Sequence, residues 1–210
     1  MVPPPDPISS GSGLSTVTAL VLAGGYSSRM GTDKALLQWQ GKPLLQRVCE
    51  VAVQCSDRVA ILTPWPERYQ SALGESNGYD WLAETQPGAG PLVALAQGLE
   101  QVSTAWILLL ACDMPRLRPD ILHLWRQKLD SLPATTLALV PRQSEGWDPL
   151  CGFYRRSAQA ALAAFIQAGG RSFQHWLAQT AAQAIDLAPT DPATSMLWNC
   201  NTPEDWVSQT

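Results

Sequence analysis

Residues 17–23 read Val-Thr-Ala-Leu-Val-Leu-Ala, a nearly unbroken apolar run that ends in Gly24-Gly25. A strand with one wet face alternates apolar and polar side chains. This run does not, so both of its faces have to be covered. The interior of a parallel sheet with helices above and below meets that condition. A second run of the same kind, Trp106 to Cys112, stops at Asp113-Met114-Pro115.

The segments between and after these runs agree with that frame. Pro43 to Cys55 carries Pro in its first turn and apolar residues at Leu44, Leu45, Val48 and Val51, the spacing of a helix. Arg58 to Leu62 reads as a strand stopped by Pro64-Trp65-Pro66, and Glu67 to Leu73 as a short helix. Helical spacing returns in LVALAQGLEQV, after the loop ETQPGAGP, and from Arg118 to Leu132 with Pro119 near its start. Thr136 to Val140 reads as a further strand. This alternation predicts an α/β three-layer sandwich, with a mostly parallel sheet and helices on both faces.

The later half is less regular. It offers a strand over Leu150 to Tyr154, helices over Ser157 to Gln167 and Ser172 to Gln179, and a short helix opened by Thr202-Pro203-Glu204-Asp205 and closed by Trp206. No internal repeat and no linker divides it. One domain is expected over residues 16–210, behind a Pro-, Ser- and Gly-rich leader, residues 1–15, expected to be disordered.

Composition narrows the function classes. The formal net charge is −4, so no global basic field for nucleic acid or an anionic membrane exists. Anion binding has to be local. The apolar stretches are strand-length, too short to span a bilayer, and the leader lacks the basic start of a signal peptide. Cys49, Cys55, Cys112, Cys151 and Cys200 are odd in number and scattered, as reduced thiols of a cytoplasmic protein are. His123 and His175 lie too far apart to suggest a metal cluster.

In open α/β sheets, ligands bind beyond the carboxyl ends of the strands. There the first run feeds the loop Gly24 to Lys34. It is neither GxxxxGK[ST] nor GxGxxG. It does hold the parts of an anion cradle: the close-approach backbone of Gly24 and Gly25, the hydroxyls of Ser27 and Ser28, the guanidinium fork of Arg29 and the point charge of Lys34. Asp113 ends the second run at the same edge. A carboxylate there suits Mg²⁺ and, with it, phosphate oxygens, although alone it would equally be a turn or cap residue. Gly88, Gly90 and Pro91 open a helix whose N-terminus is available to a ligand. Asn199 and Asn201 share one side of an extended WNCN segment, where they either meet a ligand or make a turn.

In this order the residues resemble one family. LAGGYSSRMGTDKALL resembles the signature LAGGxSxRMGxDKxLL of the molybdenum cofactor guanylyltransferases, within the nucleotidyltransferases of the nucleotide-diphospho-sugar transferase-like fold. GKPLLQRV, GPLVALAQGL, LLACDMP, WDPLCGFYRRS and WNCNTPEDW are similar to that family's later motifs, so the resemblance covers nearly everything after the leader. It implies transfer of GMP from GTP to the phosphate of molybdopterin, or of its molybdenum-loaded form, with Mg²⁺ and loss of pyrophosphate. Leu22, Ala23 and Gly24 match the family's nucleotide-contacting stretch, and Gly25 beside them is a further nucleotide-binding candidate. Lys34 matches its phosphate-binding lysine and Asp113 its metal- and nucleotide-binding aspartate. Asn199 and Asn201 match residues of the pterin side. Arg29 and Lys34 are expected to hold the β- and γ-phosphates. Transient contact with enzymes that make or accept the cofactor is also implied.

The chain departs from the family in three places. Glu84 stands where the family often has Asp, six residues before the GPL glycine, with Asp80 as the fallback for that role. Thr63 stands where it often has Asn. Val93-Ala94 replaces Ala-Gly and is expected to narrow the space near the base. Trp65 and Trp147, beside prolines, are candidates for a pterin or partner surface. Two other readings share the loop. One is a CTP-dependent cytidylyltransferase acting on molybdopterin or another phosphorylated metabolite. The other is a nucleotide-binding regulatory protein without turnover, which Glu84 and Thr63 favour and intact Lys34 and Asp113 oppose.

Overall fold

A computed structural model describes residues 15–25, 33–73 and 78–200. In chain order its elements are β1 (Val17–Leu22), β2 (Gln38–Trp39), β3 (Lys42–Pro43), α1 (Leu44–Cys55), β4 (Arg58–Thr63), α2 (Pro66–Leu73), β5 (Asp80–Ala83), α3 (Pro91–Gln101) and β6 (Trp106–Ala111). After these come α4 (Pro119–Gln127), β7 (Ala138–Gln143), β8 (Gly146–Trp147), β9 (Cys151–Arg155), α5 (Gln159–Gln167), α6 (Phe173–Gln179), β10 (Ala182–Asp186) and α7 (Pro192–Met196).

All strands except the β2–β3 hairpin form one sheet in the order β10-β7-β9-β6-β1-β4-β5, with β8 beside β7. β1 lies in its interior, parallel to β4 on one side and to β6 on the other. β5 continues the parallel set, and β10 runs parallel to β7. β9 runs antiparallel to both β6 and β7, so the sheet is mixed and mostly parallel.

The unbroken apolar runs have the cause read from sequence. Every residue of β6 is buried, and β1 is buried up to its last residue. Val17, Ala19 and Val21 pack on the face covered by α1 and α4, with Leu45, Val48, Leu122 and Trp125. Leu20 packs on the opposite face, with Leu92, Leu95 and Leu99 of α3. Gly98 lets α3 come this close, because a Cβ there would overlap the Leu20 side chain. Leu20 is itself fully buried and has no room to move aside. Gly98→Val is therefore expected to destabilise the fold by about 1–3 kcal/mol, the usual cost of overpacking a filled core. Urea unfolding at unchanged m-value is the measurement.

Several boundaries differ from the sequence reading. Pro43 is not inside α1 but caps it from the β2–β3 hairpin, whose turn is Gln40-Gly41, both at positive φ. The helix expected to run to Leu132 ends at Gln127, followed by a 3₁₀ turn over Leu129–Ser131. The strand expected over Thr136 to Val140 is shifted to Ala138–Gln143, and β5, β8, β10 and α7 were not foreseen. Of the expected leader, residues 1–14 lie outside the described residues, whereas the Ser15 amide donates to Asp130 Oδ1 at 2.9 Å. The expected helix at 202–206 also lies outside them. The five cysteines are free thiols, and no helix among the described residues is long and apolar enough to cross a membrane.

Register sets the place where chemistry is built. Leu22 pairs with Leu62 of β4 and with Ala111 of β6. The three neighbouring strands β4, β1 and β6 therefore end within a residue of one level, which sets Ala23, Thr63 and Cys112 side by side.

Candidate active site

Backbone and side-chain bonds lock these three exits together. Ala23 N–H donates to Leu62 O at 3.0 Å, and Cys112 N–H to Leu22 O at 3.3 Å. Thr63 is fully buried, and its hydroxyl donates to Ala23 O at 2.9 Å. Thr63 thus holds the turn after β1 from below. With both polar groups of Ala23 already engaged, the next amides, those of Gly24 and Gly25, donate to no group among the described residues.

A cavity of about 430 Å³ opens above this edge. Leu22, Ala23, Gly24 and Gly25 form one wall, Glu84, Gly88, Gly90, Pro91 and Ala94 another, and Asp33, Lys34, Cys112 and Asp113 the third. The parallel strands thus bring the glycine loop, the α3 entrance and Asp113 to one place. Gly88 and Gly90 stand at φ 81° and 94°, a backbone region that non-glycine residues rarely adopt. This bends the chain so that α3 begins at the cavity wall with Pro91 in its first turn.

Asp113 and Lys34 are its charged pair. Their side chains are each 18% exposed, with Lys34 Nζ 3.6 Å from Asp113 Oδ2. Burial pushes the Asp113 carboxyl above the usual carboxylate range, and the Lys34 ammonium only partly offsets this. Cys112, next in chain, is pushed far up by burial and stays a neutral thiol. It has no thiolate to offer as a nucleophile.

Lys34 owes its position to Asp33. Asp33 Oδ1 accepts from the Ala35 amide at 3.1 Å and caps the 3₁₀ turn that carries Lys34. Asp33 Oδ2 accepts from the Tyr69 hydroxyl at 2.8 Å and from Arg68 Nη1 at 3.1 Å. Tyr69 is buried at the cavity wall, and burial together with the Asp33 carboxylate keeps its phenol protonated. This brace joins residues 35 and 36 positions apart, and no local sequence pattern announces it.

Glu84 follows β5 and lies on the cavity wall, its carboxylate against the Cα of Gly24, where a Cβ would overlap it. Burial raises its carboxyl pKa. An acid whose folded pKa is raised above the unfolded value costs stability when ionised, and the cost vanishes as pH falls through the folded value. Glu84→Gln is thus expected to raise the urea midpoint at pH 8, with the gain shrinking toward acid pH. Asp80 is not a substitute for Glu84. It stands at the opposite end of β5, ion-paired with Arg58 at 2.9 Å.

The remaining expectations fall as follows. Arg29, Ser27, Ser28 and Asn201 lie outside the described residues. Asn199 does not line the cavity, but the chain beside it is tied there, since Cys200 N–H donates to Asp113 O at 2.9 Å. Its side-chain oxygen is buried without a hydrogen-bond partner in the described structure. Trp65 and Trp147 do not line the cavity. Each carries a guanidinium over its ring, Arg68 at 4.7 Å and Arg142 at 5.2 Å. Ala94 does line it and Val93 is buried, so the Ala94 methyl takes up space on that wall.

Comparison with known proteins gives this geometry a context. The family model described as the MobA-like NTP transferase domain matches residues 19–184. A protein of Nostoc sp. (strain PCC 7120 / SAG 25.82 / UTEX 2576), named probable molybdenum cofactor guanylyltransferase, is 50% identical over 192 residues, 91% of this chain and 89% of that one. Among solved structures, the molybdopterin-guanine dinucleotide biosynthesis protein A of Archaeoglobus fulgidus superposes with a TM-score of 0.74 at 22% identity, covering 91% of this chain and 96% of that one. A CMP:2-keto-3-deoxy-manno-octonic acid synthetase complexed with CTP gives 0.71 at 18% identity, over 92% and 96% of the two chains. At those identities the likeness is one of fold, and it is shared by proteins named for different nucleotides.

Proposed function

Because the chain belongs to the family of MobA-like NTP transferases, we propose that it transfers GMP from GTP to the phosphate of molybdopterin, or of its molybdenum-loaded form, and releases pyrophosphate. The observation that carries this reading is the single cavity in which the Gly24-Gly25 amides, the α3 entrance and the Lys34–Asp113 pair converge at the carboxyl edge of β1 and β6.

The roles follow from the chemistry of each group. The acceptor phosphate is already an anionic nucleophile, so the site has to align it and neutralise charge rather than remove a proton. The amides of Gly24 and Gly25 point their donors at nucleotide oxygens. Leu22 and Ala23 face the nucleoside, and Lys34, with Arg29 from the same loop, holds the β- and γ-phosphates. Glu84 accepts from N–H or O–H groups of the base or ribose. Asn199 and Asn201 serve the pterin side.

Asp113 suits Mg²⁺. A single hard carboxylate oxygen, with cavity space for phosphate oxygens and water, is the donor set this ion takes in nucleotide sites. When bound there, the ion offsets charge that develops on the α-phosphate and on the leaving pyrophosphate. The enzyme's partners are thus GTP and molybdopterin, with transient handover from or to other enzymes of the cofactor.

The test is pyrophosphate release by the purified full chain with Mg²⁺ and molybdopterin, run with GTP and CTP side by side. Release with GTP and little with CTP is expected. Preference for CTP would replace guanylyl by cytidylyl transfer, and nucleotide binding without pyrophosphate release would make the protein a regulator.

A further inference from the structure

We propose that Gln97 sets the nucleobase discrimination of this cavity without touching the nucleotide, by fixing the chain on which Glu84 is carried. The inference rests on the nucleotide reading of the cavity and adds a specificity-positioning residue to it. Gln97 lies on α3, one turn beyond the cavity-lining Ala94, and is only 7% exposed. Its Oε1 accepts two hydrogen bonds from one residue, the Thr85 amide at 2.7 Å and the Thr85 hydroxyl at 3.0 Å. Glu84, next to Thr85, donates its own amide to Thr63 O at 3.1 Å. Thr63 in turn holds Ala23 O. Two successive amides after β5 are thereby anchored, one to β4 and one to α3, and between these anchors the Glu84 carboxylate rests against Gly24.

That carboxylate has no hydrogen-bond partner among the described residues, so none of these orients it through a bond to its own oxygens. The backbone that carries it must do so. Thr85 is exposed and its loop runs on through Gly88 and Gly90, a segment that would not hold a fixed direction unaided. The amide of Gln97 is also oriented by chemistry. With Oε1 and Nε2 exchanged, an NH₂ group would face the Thr85 amide, which can only donate. In the orientation seen, Nε2 is left buried and unpartnered. An aliphatic residue would remove that orphan donor at once, yet it would leave the Thr85 amide without its acceptor.

Three variants separate positioning from structure. Gln97→Leu removes both bonds. Thr85→Val, at an exposed position that should not affect folding, removes only the hydroxyl bond. Gln97→Glu keeps an acceptor oxygen for both and deletes the orphan donor. The measurement is the affinity of each full-length protein for Mg·GTP, Mg·ITP and Mg·CTP by calorimetry, with urea unfolding alongside. The preference between the best-bound and the disfavoured nucleotides is expected to fall about tenfold in Gln97→Leu and a few-fold in Thr85→Val. Gln97→Glu should restore it.

A Gln97→Leu protein that is destabilised but keeps the wild-type preference would overturn the proposal and leave Gln97 a structural residue. Unchanged preference in a well-folded Thr85→Val would count against it too, as would failure of Gln97→Glu to restore preference. Wild-type protein that prefers CTP would refute guanylyl transfer, yet the role of Gln97 would still stand if that preference collapsed in Gln97→Leu. Wild-type protein that binds no nucleotide would refute both.

Discussion

Asp113→Asn is expected to lower kcat for guanylyl transfer by at least about 10²–10³, the loss seen when a single preorganised charge-stabilising group is removed, while the protein stays folded. The two halves of this expectation have separate physical grounds. The carboxylate is the hard oxygen donor beside Lys34 on the cavity wall, and an amide oxygen carries no charge to hold a divalent cation or to offset charge on phosphate. Stability points the other way. Burial already disfavours the ionised Asp113, so a neutral isostere removes a desolvation cost. The bond that ties the C-terminal segment to this turn uses the Asp113 carbonyl, which the substitution leaves in place. Against this gain, Lys34 loses its counter-charge, so the urea midpoint should stay near that of the wild type. Near-normal pyrophosphate release by folded Asp113→Asn would remove Asp113 from the chemistry. Loss of activity together with loss of the folded baseline would show that its role is structural.

This separation of function from stability was partly legible in the chain. The two buried strands announce themselves as unbroken apolar runs because both of their faces are covered, and their polar ends, Gly24-Gly25 and Asp113, mark the edge above which the cavity opens. β5 and β10 were missed for the converse reason. They are the outer strands of the sheet, short and half-exposed, and Asp-Trp-Leu-Ala or Ala-Gln-Ala-Ile-Asp carries no strong period. The reversed direction of β9 is likewise invisible locally, since a run such as Cys-Gly-Phe-Tyr-Arg reads the same whichever way its neighbours point. Within the site, residues that face the cavity from strand ends were found, whereas those that act through another residue were not. Tyr69 and Arg68 matter through Asp33, and Thr63 through Ala23. Each such link joins distant segments through one side chain, which neither periodicity nor spacing encodes. Thr63 is the instructive case. By sequence it is a departure from the family, and in the fold its hydroxyl makes a supporting bond to Ala23 O.

Lys34→Met is the second large effect and the harder test, because it should damage both rate and stability. The ammonium lies 3.6 Å from Asp113 Oδ2 in a cavity wall where both side chains are mostly covered. Its removal takes a cation from the phosphates, with an expected loss of about 10²–10³ in kcat/KM. It also leaves the Asp113 carboxylate desolvated without its counter-charge, at an expected cost of about 1–3 kcal/mol in urea unfolding. The double variant Lys34→Met/Asp113→Asn distinguishes this cause from simple loss of packing. If the cost comes from the stranded carboxylate, neutralising it should return much of the lost stability, a coupling between neighbours that independent sites do not show. Activity should not recover, and the double variant should be little worse than the weaker single one, because both residues serve the same transferred group. Additive stability losses would mean that Lys34 supports the fold through its chain rather than its charge. Wild-type kcat/KM in Lys34→Met would take the phosphates away from this residue, and with them the reason for the brace that Asp33, Tyr69 and Arg68 build beneath it.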